Sequence, residues 1–172
     1  MKKSFIYTSL TAALAFAAAT NSMAGTLNFH GTITHPGCNV SADSQDLQIE
    51  MGYISGAVFN GSIGQLTGAK NFTIHLVDCP VSSTQAVLTF EGQTVTNSDE
   101  ILALTDTSSA SGLGIQLTNS QGQIIKLNQP TEPQVITAGE NQLNYVARFI
   151  TTSNTVKSGE AYANAVFTVN YY

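Results

Sequence analysis

The sequence is poor in basic residues, and it lacks tryptophan altogether. Six lysines and arginines stand against 11 acidic residues. Two of the six, Lys2 and Lys3, lie at the N-terminus, and the others are scattered along the chain as Lys70, Lys126, Arg148 and Lys157. Proteins that bind nucleic acid need a cluster of cations to neutralise phosphates. This scarcity of positive charge excludes nucleic acid as a partner.

Motifs of enzymes and of cofactor-binding proteins are also missing. The chain has no HExxH, GxSxG, P-loop or GxGxxG pattern, and residues 112–114 lack the later glycine that phosphate binding needs. The acidic pair Asp99-Glu100, with Asp106 nearby, is more typical of a solvated loop than of a calcium site or a glycosidase dyad. We therefore expect no catalytic site, no metal site and no small-molecule cofactor.

Long apolar runs are absent beyond the N-terminus. There, two lysines precede an Ala-rich apolar stretch, residues 5–19, and small residues at 22–24 offer a cleavage site. This order predicts a bacterial-type secretory signal peptide over residues 1–24. The stretch is shorter than the roughly 20 residues of a membrane span, and an uncleaved anchor is the alternative. The mature, exported chain is expected to begin at Gly25.

There are only two cysteines, Cys38 and Cys79, and both belong to the predicted mature chain. An even number of cysteines in an oxidising compartment indicates a disulfide bond. Such a bond would close a loop of about 42 residues and contribute about 4 kcal/mol in the chain-entropy treatment. The alternatives are a reactive thiol, which would need a basic neighbour, and a metal site, for which the chain has neither a CxxC motif nor clustered histidines.

The mature chain alternates apolar and polar residues with a period of two, as half-buried β-strands do. The alternating sets include Leu47, Ile49 and Met51; Phe72, Ile74 and Leu76; Leu113, Ile115 and Leu117; and Leu143, Tyr145, Ala147 and Phe149. Turns rich in Gly, Asn and Pro separate them, and no window predicts an amphipathic helix. The pattern predicts an all-β sandwich of immunoglobulin-like type, with a jelly roll as the second choice. The missing tryptophan excludes the Cys…Trp…Cys signature of antibody domains.

Both ends of the mature chain carry apolar strands that lack an obvious partner. Towards the C-terminus, small or apolar residues occupy every second position: Gly159, Ala161, Ala163, Ala165, Phe167, Val169 and Tyr171. So apolar a face predicts a core strand, yet no later strand remains to cover its other edge. An N-terminal extension, residues 25–37, carries a second apolar stripe: Leu27, Phe29, Gly31 and Ile33. This extension could serve as the missing strand of another molecule.

These features together resemble a subunit of chaperone–usher fimbriae, of the type 1 pilin kind. The resemblance spans the whole mature chain. It rests on the signal peptide, the Leu27-x-Phe29-x-Gly31-x-Ile33 extension, the Cys38 and Cys79 pair, Gly159 fourteenth from the end, and the penultimate Tyr171. It implies that residues 38–172 form an incomplete immunoglobulin-like sandwich, which lacks its last strand and is completed by donor-strand exchange.

The resemblance also implies partners and a location. A periplasmic chaperone would lend a strand to the acceptor groove along the C-terminal strand, residues 159–171. At the outer-membrane usher, the donor strand of a neighbouring pilin subunit, residues 27–33, would replace it. The chain would travel through the periplasm to the cell-surface fimbrium, as its major shaft subunit or as a minor or adaptor subunit.

A function of another class fits the same composition. A self-contained, secreted carbohydrate-binding β-sandwich would keep residues 27–33 in its own sheet and expose aromatic rings for stacking on sugars. Without tryptophan, that surface would depend on Tyr53, Phe59 and Tyr162.

Overall fold

The computed structural model describes Asn28, residues 37–59 and residues 61–172. From residue 37 onward, the described chain belongs to one compact unit, Thr34–Tyr172. The predicted signal peptide, residues 1–24, lies outside the described residues. So do the predicted donor-strand residues Leu27, Phe29, Gly31 and Ile33.

Antiparallel β-strands dominate the described part of the chain. In chain order, the elements are β1 (Asn39–Val40), the one-turn helix α1 (Ala42–Gln45), a 3-10 turn (Gly56–Val58), β2 (Leu66–Cys79), β3 (Gln85–Glu91), β4 (Leu102–Ala103), β5 (Leu113–Asn119), β6 (Gln134–Val135), β7 (Gly139–Thr151) and β8 (Val166–Tyr171). Neither helical segment in this part is long and apolar enough to cross a membrane.

The strands form two sheets. One has five strands in the order β1-β2-β7-β5-β4, and the other has three in the order β6-β3-β8. The long strands β2 and β7 pair from Leu66 opposite Ile150 to Cys79 opposite Gly139, with two irregularities in register. The all-β, immunoglobulin-like class that the alternation predicts is confirmed.

The core lies between the two sheets, where the inward-facing residues of β2, β3 and β7 meet. Alternate side chains are buried in the second half of β2 and along β3 and β7: Ile74 and Leu76; Ala86, Leu88 and Phe90; Leu143, Tyr145, Ala147 and Phe149. The ring of Tyr145 lies 5.1 Å from that of Phe90 in an edge-to-face contact, and 5.5 Å from that of Phe72. Since Phe90 and Tyr145 belong to different sheets, this contact helps to lock the two layers together, by about 0.5–1.5 kcal/mol beyond area burial.

The segment 47–51 was predicted to be a strand, and this prediction is wrong. It forms no hydrogen-bonded ladder with any described residue, although burial still alternates along it. Leu47, Met51 and Ile54 pack against the core and remain partly exposed. The physical reason is that a strand needs a partner as well as an apolar face, and no described strand runs beside this segment.

Candidate functional site

The disulfide lies where the predicted N-terminal extension joins the sandwich. Cys38 and Cys79 are bonded at an S–S distance of 2.05 Å, which confirms the pairing. Both residues are buried, and the Asn141 side chain donates a hydrogen bond to Cys79 Sγ at 3.3 Å. The bond fixes the residue before β1 to the end of β2.

Strand β8 is an edge strand of the three-stranded sheet. It pairs with β3 along its whole length, from Glu91 opposite Val166 to Ala86 opposite Tyr171. No described strand pairs with its other side. We call this side, which has no partner among the strands that the structure describes, the open edge of β8.

The register shows which backbone groups face the open edge. Gln85 and Tyr172 exchange both of their backbone hydrogen bonds, at 3.1 and 3.0 Å. In an antiparallel ladder, hydrogen-bonded and non-hydrogen-bonded pairs alternate. The backbone groups of Thr168 and Asn170 therefore point towards β3, as those of Tyr172 do. The N–H and C=O groups of Phe167, Val169 and Tyr171 point away from β3, where a further strand could pair with them.

The same residues present an apolar surface that is only half covered. Five residues pack against the core yet stay partly exposed, and we call this set the C-terminal face: Ala161, Ala163, Phe167, Val169 and Tyr171. The ring of Phe167 lies 6.4 Å from that of the buried Phe90. The alternate residues Thr168 and Asn170 are exposed. The predicted acceptor residue Ala165 is also exposed and does not belong to this face.

Tyr171 lies at the end of this face and packs closely against Gly37. A Cβ atom placed on Gly37 would lie 2.2 Å from Cδ2 of the Tyr171 ring, so a larger residue at position 37 would displace the ring. The Tyr171 hydroxyl is buried and has no hydrogen-bond partner among the described residues. Burial raises the pKa of Tyr171 above its ordinary value. An unpartnered buried hydroxyl costs free energy, so this side chain is not optimised for the isolated subunit.

The C-terminal segment is not one continuous strand, because its first part attaches elsewhere. Glu160 O accepts hydrogen bonds from the backbone N–H groups of Ser109 and Ala110, at 2.9 and 3.0 Å. The Ser108 hydroxyl accepts one from Tyr162 N at 2.9 Å, and the Ser109 hydroxyl one from Glu160 N at 2.8 Å. The alternation did not reveal this attachment, which depends on serines about 50 residues away in the sequence.

This attachment gives Gly159 a role that differs from lining a groove. A Cβ atom on Gly159 would lie 2.6 Å from the carbonyl carbon of Ser109 and 2.7 Å from Ala110 N. Real Cβ atoms do not approach backbone atoms so closely, so position 159 has no room for a side chain. Gly159 is exposed, and it allows two backbone segments to touch.

A second polar cluster contains a serine, an aspartate and a histidine, but it does not form a catalytic triad. His75 Nδ1 lies 2.9 Å from Asp43 Oδ2. The Ser41 hydroxyl and His75 both hold the pKa of Asp43 below its ordinary value. The Ser44 hydroxyl accepts from the backbone N–H of His75, not from its imidazole ring. The cluster fastens helix α1 to β2.

The acidic residues and the exposed aromatic residues are dispersed. Asp99 pairs with Lys126 at 3.3 Å, and Lys126 lowers the pKa of Asp99. In the part of the chain that the structure describes, no group of three His, Cys, Asp or Glu side chains could hold a metal ion. Tyr53 is fully exposed, Tyr162 is half exposed, and Phe59 is partly buried. No ring contact joins any two of these three described residues.

Comparison with known proteins points to one family. The fimbrial protein family matches residues 27–172. The fimbrial-like protein SfmA of Escherichia coli is 35% identical over 182 aligned positions, which cover 99% of each chain. Long polar fimbria protein A of Salmonella typhimurium is 30% identical, with 97% of this chain and 94% of that protein covered. The crystal structure of the P pilus rod subunit PapA matches with a TM-score of 0.71 at 23% identity, covering 80% of this chain and all of that one.

The β-sandwich fold thus agrees with the sequence match and the structural match. The relatives are structural proteins of surface fibres and not enzymes. The chain belongs to the fimbrial protein family.

Proposed function

We propose that this chain is the repeating shaft subunit of its fimbria and that it polymerises by donor-strand exchange. Residues 27–33 of one subunit lie along β8 of a neighbour, with Leu27, Phe29 and Ile33 directed into the sandwich. The observation that carries the proposal is the open edge of β8. There, the residues with outward backbone groups also carry the half-buried apolar side chains of the C-terminal face.

The energetics favour an apolar donor strand. Ordering a two-residue step of the donor costs about 2–4 kcal/mol, and two net backbone hydrogen bonds return only about 1–3 kcal/mol. The pairing becomes favourable when every second side chain is buried, because each buried Leu, Ile or Phe contributes about 1.5–3 kcal/mol. This explains why the extension needs an apolar residue at alternate positions. The assembled state is then protected by slow unzipping of a buried strand.

The segment 47–51 supplies the second wall of the groove in this proposal. Leu47 and Met51 pack against the same core as the C-terminal face and are likewise partly exposed. Neither this segment nor the outer edge of β8 has a strand partner among the described residues. A strand inserted between them would give both a partner and would cover both apolar rows.

The open edge also accounts for the proposed partners. An edge strand with apolar side chains pairs readily with other chains and aggregates. A periplasmic chaperone that lends a strand would cover β8 until the outer-membrane usher exchanges it for the next subunit. The shaft position is proposed because one relative of 30% identity, matched over 90% of its length, is the probable major fimbrial subunit LpfA of Escherichia coli O157:H7.

Deletion of the extension tests the assembly step. The mature chain, residues 25–172, and a form that lacks residues 25–36 are purified without a chaperone and incubated at the same concentration. The full form is expected to build ladders that resist heat and detergent, and the truncated form is expected not to extend them. A full-length chain that stays a stable, cooperatively unfolding monomer would refute the proposal.

A peptide that covers residues 25–35 tests the groove directly. Added to the truncated form, it is expected to raise the melting temperature sharply, because it supplies the missing strand. A peptide in which leucine replaces Gly31 serves as the matched control and should bind more weakly, since it overfills one position. Equal melting temperatures with and without the first peptide would count against an acceptor groove.

A further inference from the structure

A cleft lies beside the three-stranded sheet, on the side away from β8. It runs between the turn at 119–124 and the segment 129–135, and has a volume of about 740 Å³. The short strand β6 forms part of its wall, and β6 and β8 flank β3 on opposite sides. The cleft is therefore separate from the open edge, and the proposed assembly does not use it. Its volume is within the range of small-molecule binding sites.

Glutamine side chains line this cleft, and in each of them either the amide oxygen or the amide nitrogen already forms a hydrogen bond within the protein. The Gln121 oxygen accepts from Ser120 Oγ at 3.1 Å, and the Gln123 oxygen accepts from Asn119 Nδ2 at 2.6 Å. Among the described residues, no acceptor is found for either amide nitrogen. The wall at 119–124 thus offers oriented N–H donors.

The opposite wall offers acceptors. Gln129 donates its amide nitrogen to Asp99 Oδ2 at 2.9 Å, and Gln134 donates to the hydroxyl of the buried Tyr145 at 2.6 Å. These bonds fix the two side chains and leave both amide oxygens without a donor among the described residues. A ligand between the walls would therefore meet amide donors on one side, and amide oxygens together with the remaining N–H groups of Gln129 and Gln134 on the other.

The charges and apolar groups of the cleft narrow the class of ligand. Its one cation, Lys126, is paired with Asp99, and Glu132 adds a negative charge. Anionic ligands would be repelled. Ile124 and Val135 are exposed aliphatic side chains in the lining, and can contact the C–H faces of a ligand. Sugar hydroxyls both donate and accept hydrogen bonds, so they suit oriented amides of both kinds.

We propose that this cleft binds a neutral oligosaccharide. The two glutamines at 121 and 123 donate to hydroxyl oxygens, and those at 129 and 134 accept from hydroxyl groups. The site is distinct from the exposed aromatic residues Tyr53, Phe59 and Tyr162, and it requires no ring stacking. It would make the body of the subunit a surface that recognises sugars.

Binding of the labelled mature chain to an array of neutral, sialylated and sulfated oligosaccharides tests the proposal. We expect retention on neutral oligosaccharides only. The double variant Gln121→Ala/Gln123→Ala should bind on the order of tenfold more weakly, because two oriented donors are lost. The matched control is Gln142→Ala, an exposed glutamine on β7 that is not among the cleft residues.

Melting temperatures of all variants separate lost binding from lost folding. If the double variant melts lower than the parent, Gln129→Ala on the opposite wall takes its place and is judged in the same way. The proposal is overturned if no neutral oligosaccharide is retained, if acidic oligosaccharides bind best, or if the cleft variant binds as well as Gln142→Ala. Assembly is scored on the same samples by ladder formation, so a failure of the sugar site is distinguishable from a failure of donor-strand exchange.

Discussion

Replacing Val169 with proline removes one backbone donor from the open edge of β8 and leaves the rest of the sheet intact. The N–H of Val169 points away from β3, so the ladder between β3 and β8 does not use it. Proline is tolerated on edge strands whose N–H faces solvent. The variant is therefore expected to fold, but a strand that approaches the edge would meet a ring where it needs a donor.

The size of the effect follows from the hydrogen bond that is lost. A carbonyl of the incoming strand would be buried without a partner, at a cost of roughly 1–3 kcal/mol. This corresponds to a decrease of about fivefold to 150-fold in the equilibrium constant for strand pairing. The valine side chain also contributes apolar contact, so Val169→Ala is the control that loses the side chain and keeps the N–H.

The assay is the rate at which the purified mature chain forms detergent-resistant ladders, with circular dichroism as the measure of folding. Val169→Pro should fold and assemble slowly, and Val169→Ala should assemble faster than the proline variant. Thr168→Pro should fail to fold, because the N–H of Thr168 points towards β3. Ladders from Val169→Pro at the parental rate would refute the inference that a neighbouring strand adds at this edge.

Three further predictions concern single side chains. Gly159→Ala should lower the melting temperature by a few degrees, because its Cβ would overlap the backbone of Ser109; Gly56→Ala, which would meet only the Ser158 hydroxyl, should change it little. Tyr171→Phe should leave the urea midpoint of the isolated subunit unchanged or higher, since the hydroxyl has no partner among the described residues; a lower midpoint would contradict this. Burial raises the pKa of Tyr145 from 10.0 to about 12. The contribution of this residue to the free energy of unfolding is therefore complete below about pH 10 and is lost, by up to about 3 kcal/mol, as the pH rises towards 12. In unfolding measured as a function of pH, Tyr145→Phe should reduce this loss of stability at alkaline pH.

Much of the sandwich could be predicted from residue alternation, because apolar residues at alternate positions mark the buried face of a strand. The sets beginning at Phe72, Leu113 and Leu143 all lie in strands of the structure. The full length of β2 could not be predicted, since its first half carries few buried side chains. That half is a strand because it pairs with the end of β7, a partner more than 70 residues away.

Only those features of the candidate site that depend on residues close together in the sequence could be predicted. The apolar residues at 167, 169 and 171 were identified by their spacing, and the structure places all three in the C-terminal face. The break before β8 was not identified, because it depends on hydrogen bonds that the backbone of Glu160 and Tyr162 donates to the hydroxyls of Ser109 and Ser108. The failed strand at 47–51 has the same origin, since an alternating pattern cannot reveal that its partner is absent.

Within the six residues of β8, alternate side chains pack against the core, and those between them are exposed. In the proposed assembly, substitutions at 167, 169 and 171 would change the surface that the donor strand covers, whereas the side chains of Thr168 and Asn170 are exposed. Variation among strains should therefore collect at the outward positions, where an antibody could distinguish two fimbriae that still copolymerise. In a fibre built from two such variants, antibodies would distinguish the subunits, although the contacts between neighbouring subunits would be the same throughout.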